Sequence, residues 1–151
     1  MSNSELKASP FERVEWAILL AARDIRRTFD LVFTDFNLNL SEVALLSLIT
    51  EHGSLSQSEI AKSLGMGRAS LGALVDGLEQ RNFVERQESP TDKRVWLIEL
   101  TASGKEISVE LEDRDQSLRE IFREGVGRDE RQNLAETLER LRRNLKSVNK
   151  K

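Results

Sequence analysis

Cysteine is absent from this 151-residue chain, and histidine occurs only once. Without cysteine there are no disulfides, thiolate nucleophiles, zinc fingers or cysteine-based redox sensors. His52 alone cannot make a multi-histidine metal site, and we interpret it as a structural residue at a helix end. We therefore expect neither a metal ion nor a cofactor.

Several motifs and segment types are also missing. The sequence has no glycine-rich phosphate loop of the P-loop type and no Gly-x-Ser-x-Gly elbow. Its carboxylates lie mostly among Lys and Arg on helical faces, which is typical of a solvated surface. No apolar run approaches the length of a membrane span, and the N-terminus lacks the basic and apolar regions of a signal peptide. The sequence thus predicts a cytoplasmic protein that is not an enzyme and has no membrane partner.

Acidic and basic residues nearly balance, with 26 Asp and Glu against 23 Lys and Arg. A net charge of −3 is not typical of a nucleic-acid-binding protein. Local patches of positive charge, however, matter more for phosphate binding than the total charge. Between residues 60 and 75 the only charged residues are Lys62 and Arg68, both positive. With 38% hydrophobic residues, the chain fits a single helical domain, 1–151, that completes its core with a partner chain.

The N-terminal part of the chain predicts two helices. Apolar residues at steps of three and four indicate a long amphipathic helix from Phe11 to Phe36. Ser41 is the predicted N-cap of a second helix, which ends at His52 and Gly53.

The next two helices predict a helix-turn-helix. Ser56 and Glu59 form a capping box at the start of a short helix, and Gly65 ends it. A second helix follows after a tight turn, with one buried stripe at Leu71, Leu74, Val75 and Leu78. From this stretch alone, a helical hairpin in an ordinary bundle remains an alternative.

The first turn of the second helix favours the DNA-binding interpretation. It is free of acid, and small residues keep it slim: Gly67, Ala69, Gly72 and Ala73. Arg68 and Ser70 supply hydrogen-bond donors. A helix end that enters the major groove needs small side chains and a few donors, and its dipole favours nearby phosphate.

Two short strands, 83–87 and 94–100, are predicted to flank a polar turn and form a β-hairpin. Lys93 and Arg94 lie at its tip, and Asp92 is placed to orient the Arg94 guanidinium. Behind a helix-turn-helix such a hairpin is a wing, whose cations meet the DNA backbone or minor groove. In isolation a plain surface hairpin would be the favoured interpretation, and the preceding helix-turn-helix reverses this preference.

The C-terminal part predicts two more helices. Thr101 or Ser103 caps the first, Ser103 also matching a capping box with Glu106, and a break follows at 125–127. The last helix has a 4-3-4-3 repeat at Leu134, Leu138, Leu141, Leu145 and Val148. This repeat suits packing against the N-terminal helix of a second protomer. The predicted fold is mainly α with a small β-hairpin wing: a winged helix-turn-helix domain flanked by dimerisation helices.

From about residue 11 to 148, these motifs resemble the MarR family of winged helix-turn-helix regulators. The most specific part is a wing-to-helix signature, D-x-R followed by L-T-x-x-G, carried by Asp92, Arg94, Leu100, Thr101 and Gly104. The stretch EIAKSLGMGRASLGALVDGLEQRNFVER resembles the family's helix-turn-helix and recognition helix.

The resemblance implies a homodimer held by regions 10–37 and 103–149, on either side of a winged helix-turn-helix region, 40–102. Such dimers bind near-palindromic operators in double-stranded DNA and usually repress transcription. The residues assigned to dimerisation are Phe11, Val14, Ile18, Leu134, Leu138, Leu141 and Leu145.

By position in the family, Ser56 and Gln57 would contact phosphate, and Arg94 would enter the minor groove beside Lys93. The residues that would approach base edges are Gly67, Arg68, Ala69, Ser70 and Leu71. Two departures are Asn82, where relatives usually have Gly, and Ala73, where many have a basic or polar residue, so no operator sequence is carried over.

Many relatives also bind a small, often aromatic, anion that weakens DNA binding through a population shift. Trp16 and Phe29, with Arg23, Arg26 and Arg27, could line such a cleft, but core filling and solvated arginines explain them equally well. The ligand site is therefore unknown. A winged-helix protein-interaction module is the alternative function, and a small enzyme lacks a catalytic constellation.

Overall fold

The computed structural model describes residues 7–146 and 148 of the chain. They divide into two compact units at the Arg114–Asp115 bond. The helices and strands are α1 (Val14–Val32), α2 (Leu40–His52), β1 (Leu55–Ser56), α3 (Gln57–Leu64), α4 (Arg68–Gln80), β2 (Val84–Glu88), β3 (Trp96–Leu100), α5 (Ala102–Phe122) and α6 (Arg128–Lys146).

The first helix is shorter than its apolar pattern predicted. A 3-10 turn at Pro10–Glu12 precedes α1, and extended backbone at Arg13 (φ −84°, ψ 147°) separates the two. A second 3-10 turn, Thr34–Phe36, follows α1 and ends at Asn37, which is left-handed (φ 51°). The prediction of one continuous helix over 11–36 is therefore wrong at both ends, because a period-3.6 pattern does not distinguish α-helix from flanking 3-10 turns.

The N-cap of α2 is Asn39, and the prediction of Ser41 is wrong. The Asn39 side chain accepts a hydrogen bond from the Glu42 amide at 3.0 Å, and the Glu42 carboxylate accepts from the Asn39 amide at 2.8 Å. This reciprocal capping box fixes the helix start two residues earlier. The helix ends at His52, as predicted, with Gly53 as its C-cap.

The helix-turn-helix forms as predicted from α3 and α4. Ser56 and Glu59 make the capping box of α3, and Gly65 ends it in the left-handed region (φ 65°) that glycine adopts without strain. Leu71, Val75 and Leu78 of α4 are buried. They join residues of α2, α3 and β3 in one hydrophobic core.

The wing belongs to a three-stranded antiparallel sheet of order β1-β3-β2. Strands β2 and β3 form the predicted hairpin, with Arg86 opposite Ile98. Strand β1 was not predicted, because its two residues, Leu55 and Ser56, are too short to show a period. It pairs with β3 and anchors the wing to the start of α3.

The N-cap of α5 is Thr101, whose hydroxyl accepts a hydrogen bond from the Gly104 amide at 3.0 Å and donates to the Asn82 carbonyl at 2.5 Å. Its amide also donates to the Phe83 carbonyl at 3.1 Å. Ser103 lies within α5, so its predicted capping box is wrong. These hydrogen bonds tie the start of α5 to the chain segment between α4 and β2.

The C-terminal end of α4 is held by Arg81. Its guanidinium donates to the carbonyl oxygens of Phe36 (2.9 Å) and Asn37 (2.7 Å), which follow α1. It also stacks over the Phe83 ring, 5.0 Å from the centroid. The ring of Phe36, in the 3-10 turn after α1, is also contacted by Arg114 of α5, whose guanidinium stacks over it. The segment after α1 is thus contacted by both α4 and α5.

The second unit contains the end of α5 and all of α6. The predicted break between them forms at residues 123–127, and α6 ends at Lys146, so Val148 lies beyond it. Residues 147 and 149, at the end of the region predicted for dimerisation, are outside the described residues. Within the described ranges, no helix is both long and apolar enough to cross a bilayer.

Candidate nucleic-acid interface

The N-terminal turn of α4 is presented at the surface. Gly67 is its N-cap and makes no side-chain capping bond, and the first turn carries no acidic residue. Arg68, Ala69 and Ser70 are exposed. The unpaired amides of a helix start and the helix dipole both favour an anionic partner, so this end is suited to phosphate and to the acceptor groups of base edges.

Leu71 does not share this surface. It is 1% exposed and belongs to the core. This burial agrees with the stripe predicted for α4, and the predicted approach of Leu71 to base edges stays a prediction. The core stripe of α4 starts at this residue, and the surface turn ends one residue before it.

Ser56 is engaged in capping. Its hydroxyl donates to the Glu59 carboxylate at 2.7 Å and accepts from the Glu59 amide at 3.3 Å. The hydrogen bonds from the Ser56 backbone and hydroxyl lower the pKa of Glu59, which keeps a negative charge at the start of α3. A phosphate contact by this hydroxyl would compete with that carboxylate.

Gln57 lies at the edge of a small cleft between the starts of α3 and α4. The cleft has a volume of about 190 Å³ and is lined by Gln57, Ser58, Arg68 and Leu71. Amide, hydroxyl and guanidinium groups all supply donors. The structure thus brings the predicted phosphate contact Gln57 next to the predicted base contact Arg68.

Arg86, on β2, is a residue that sequence reasoning missed. Its guanidinium pairs with Glu79 and, at 2.6 Å, with Asp76, both on α4. Its Nε donates to the Gln57 Oε1 at 3.4 Å. Burial works to lower the pKa of Arg86, but the hydrogen bonds and charges of Asp76 and Glu79 outweigh it and raise that pKa. Arg86 therefore holds α3, α4 and the wing together.

The wing tip is ordered by its own hydrogen bonds. The Ser89 amide donates to the Val95 carbonyl and the Val95 amide to the Asp92 carbonyl, both at 2.9 Å. As predicted, Asp92 contacts Arg94: its carboxylate accepts from the Arg94 amide at 3.0 Å and lies 3.5 Å from Nε. The Arg94 side chain is 93% exposed, and Lys93 is exposed beside it.

The residues predicted for dimerisation lie on surfaces that each unit leaves uncovered. On α1 and the preceding turn, Phe11 is 73% exposed and Val14 is exposed, whereas Ile18 is half-buried. On α6, Leu134 and Leu145 are exposed, and Leu138 and Leu141 are half-buried. Large exposed apolar surfaces of this kind are typical of interaction sites.

The two aromatic residues considered for an effector site have different partners. Phe29 packs against the core and stacks on Phe33, whereas Trp16 contacts Phe11 edge to face. Arg23 pairs with its neighbour Asp24. Over residues 7–146 and 148, no group of three His, Asp or Glu side chains could hold a metal ion.

Residues 38–96 match the model of the MarR family. The HTH-type transcriptional regulator YdgJ of Bacillus subtilis is 28% identical over 109 residues, 72% of this chain and 66% of that protein. The transcriptional repressor MprA of Escherichia coli is 35% identical over 71 residues, 44% of this chain and 40% of that protein.

Solved structures show the same fold. The transcriptional repressor CouR, bound to a 23-mer DNA duplex, is 25% identical with a TM-score of 0.78, covering 93% of this chain and 97% of CouR. BpsR of Bordetella bronchiseptica is 19% identical with a TM-score of 0.80, and the match covers 89% of this chain and 96% of BpsR. Residues 38–96 of the chain therefore form a MarR family domain, within a fold that the chain shares with winged-helix regulators.

Proposed function

We propose that the protein is a homodimeric repressor that binds a near-palindromic operator in double-stranded DNA. The first turn of α4 enters the major groove, and the wing tip enters the adjacent minor groove. Arg68, with the small residues Gly67, Ala69 and Ser70, approaches base edges, while Lys93 and Arg94 contact the backbone and minor groove. The observation that carries this proposal is the exposed, acid-free start of α4.

Dimerisation through regions 10–37 and 103–149 is part of this proposal. It is supported by the exposed apolar residues of α1 and, separately, of α6. A dimer would bury them, and its two-fold symmetry would match a palindromic site. DNA binding is supported by CouR, which has this fold, is 25% identical to this chain and was solved bound to a 23-mer DNA duplex.

The experiment that tests the function is selection of bound duplexes from a randomised DNA pool at near-physiological salt. We expect a palindrome with half-sites about 10 bp apart, one helical turn, because two recognition helices occupy successive major grooves. Recovery of no motif, with binding that vanishes as salt rises, would leave only non-specific attraction.

We also propose that a small aromatic or anionic effector modulates binding. The structure of BpsR concerns regulation of its DNA binding by 6-hydroxynicotinic acid, which is a small aromatic acid. The test is a screen of aromatic carboxylic acids for release of the protein from its selected operator. Since this chain's ligand site is unknown, no residue is assigned to the effector.

A winged-helix module for protein interaction is the second candidate. It is favoured by the carboxylates of Asp76 and Glu79, which pair with Arg86, and by that of Glu59 at the start of α3, since these acids reduce the positive charge around α3 and α4. Failure of the protein to bind heparin or any duplex at low salt would support this candidate over DNA binding.

A further inference from the structure

Two arginines near the proposed interface are used in different ways. Arg94 has a solvent-exposed guanidinium, whereas the Arg86 side chain is only 24% exposed and faces Asp76, Glu79 and Gln57. With two carboxylates beside it, Arg86 adds no net positive charge for phosphate. Any role of Arg86 in DNA binding must therefore come from the side chains that it orients.

Arg86 constrains the orientation of the Gln57 amide. Arginine has only donors, so the group that faces its Nε must be an acceptor. The Gln57 oxygen therefore points to Arg86, 3.4 Å away, and the amide nitrogen points elsewhere. That nitrogen lies on the side of α4, 3.9 Å from the place where a Cβ on Gly72 would be.

The orientation of the amide selects its partner. With its oxygen turned to Arg86, Gln57 has its NH₂ group left for a different partner, and Gln57 lines the cleft together with Ser58 and Arg68. Phosphate oxygens of DNA only accept hydrogen bonds, and base edges present both donors and acceptors. A residue that offers donors alone is suited to phosphate.

We propose that Arg86 is a positioning residue that turns the Gln57 amide so that its nitrogen donates to a DNA phosphate seated in this cleft. The inference rests on the proposed DNA-binding function and goes beyond it, because it assigns a role to a residue that does not touch DNA. It also explains why a glycine occupies position 72, since a large side chain there would cover the Gln57 amide nitrogen.

Lysine cannot replace Arg86 in this role. The three guanidinium nitrogens face three partners, Nε toward Gln57 and the two others toward Glu79 and Asp76. A single ammonium can pair with the carboxylates but cannot also fix the amide at a third point. Arg86→Lys therefore keeps the positive charge but no longer fixes the orientation of the Gln57 amide.

The test is a double-mutant cycle for binding of a labelled duplex, drawn from the randomised pool, followed by fluorescence anisotropy. We expect Arg86→Lys to weaken binding about fivefold in the natural sequence, the effect of one hydrogen bond. In a Gln57→Ala background the same change should have no further effect. Equal weakening in both backgrounds, or none in either, would overturn the inference.

Two further measurements separate positioning from loss of structure. Gln57→Glu keeps an oxygen for Arg86 but replaces the donor with an acceptor, so it should bind DNA more weakly than Gln57→Ala. Gln57→Ala should weaken binding to all duplexes by the same factor, with an unchanged salt dependence, because the amide is neutral. Gln80→Ala, an exposed glutamine at the end of α4, is the matched control and should leave binding unchanged.

The outcomes also distinguish the two proposals. If the natural protein binds a selected duplex but the cycle shows no coupling, only the role of Arg86 is overturned. If the natural protein binds no duplex at any salt concentration, the DNA-binding function is overturned and this inference with it. The thermal unfolding temperature of each variant, unchanged in Gln57→Ala, shows that the compared proteins are folded.

Discussion

Gly104 lies so close to Phe83 that a Cβ on Gly104 would be 1.9 Å from the Phe83 carbonyl oxygen. Backbone occupies that space, so the start of α5 would have to move away from the beginning of β2. The Thr101 hydroxyl and amide bond the same segment, at Asn82 and Phe83. The L-T-x-x-G signature is thus the site at which the wing and α4 are fixed to α5.

We expect Gly104→Ala to destabilise the protein by about 1–3 kcal/mol or more, because overpacking against backbone cannot be relieved by a rotamer change. The free energy of unfolding in urea measures the effect. Gly77→Ala is the control: a Cβ at Gly77, within α4, meets no atom within 4 Å. That change should stabilise the protein by roughly 0.5–1 kcal/mol, since alanine favours helix. Similar effects at the two glycines would contradict the close approach at Gly104.

Arg94→Ala should weaken binding to most DNA sequences and reduce the slope of log affinity against log salt by about 1. The reason is that the side chain is 93% exposed at the wing tip, where its guanidinium can contact a phosphate in addition to Asp92 and displace a counterion. Titrations at four or more salt concentrations measure the slope. Arg23→Ala on α1, outside the proposed interface, should leave it unchanged. A slope that does not change in Arg94→Ala would count against the wing as a DNA contact.

Arg68→Ala should alter base preference at one operator position by about 1–3 kcal/mol, because an arginine at the start of α4 can donate two hydrogen bonds to a base edge. Repeating the duplex selection with the variant measures the change. Lys62→Ala, an exposed cation on α3, is the matched control and should retain the natural preference. Uniform weakening on every operator variant would make Arg68 a backbone contact instead.

Val14→Asp and Leu145→Asp should each convert the proposed dimer to a monomer, because a charge would be buried where apolar side chains meet. Sedimentation velocity measures the mass, and operator affinity should fall with dimerisation. Trp96→Gln is the control, as Trp96 is 49% exposed but lies on the wing. If the natural protein sediments as a monomer at all concentrations, the proposed dimer is contradicted.

The Ser56–Glu59 capping box should make stability depend on pH. The folded-state pKa of Glu59 is lowered from 4.5. A carboxyl with a depressed pKa stabilises the fold above its unfolded pKa, and this contribution is lost as the pH falls through the folded value. The difference in unfolding free energy between the natural protein and Glu59→Gln should therefore shrink when the pH is lowered from 7 to 3. A difference that is constant over this range would show that the ionised carboxylate does not contribute.

Local signals predicted most of the fold. The capping box at Ser56, the stop at Gly65 and the polar turn between the two wing strands each depend on residues a few positions apart. Where two local signals competed, sequence could not choose between them. Asn39 and Ser41 both suit an N-cap, as do Thr101 and Ser103, and the structure takes the residue whose side chain reaches the third amide of the helix.

The candidate site was predictable in its exposed parts but not in the contacts of Arg86. The polar start of α4 and the cations of the wing follow from sequence order alone. The burial of Leu71 was also predictable, because its spacing from Leu74, Val75 and Leu78 places it on the buried stripe of α4. Arg86 contacts residues 7, 10 and 29 positions away. No periodicity or motif encodes such contacts, since they arise only when the wing folds back on the helices.

The hydrogen bonds of the wing tip join residues 89–95 to one another. The Ser89 hydroxyl contacts the Thr91 hydroxyl at 3.1 Å, and Asp92 accepts from Arg94, while the strands below supply the anchor. A tip that holds its own shape loses little conformational freedom when it meets a ligand. If the wing contacts DNA as proposed, substitutions at its exposed positions, such as Lys93 and Arg94, should alter binding more than they alter the free energy of unfolding.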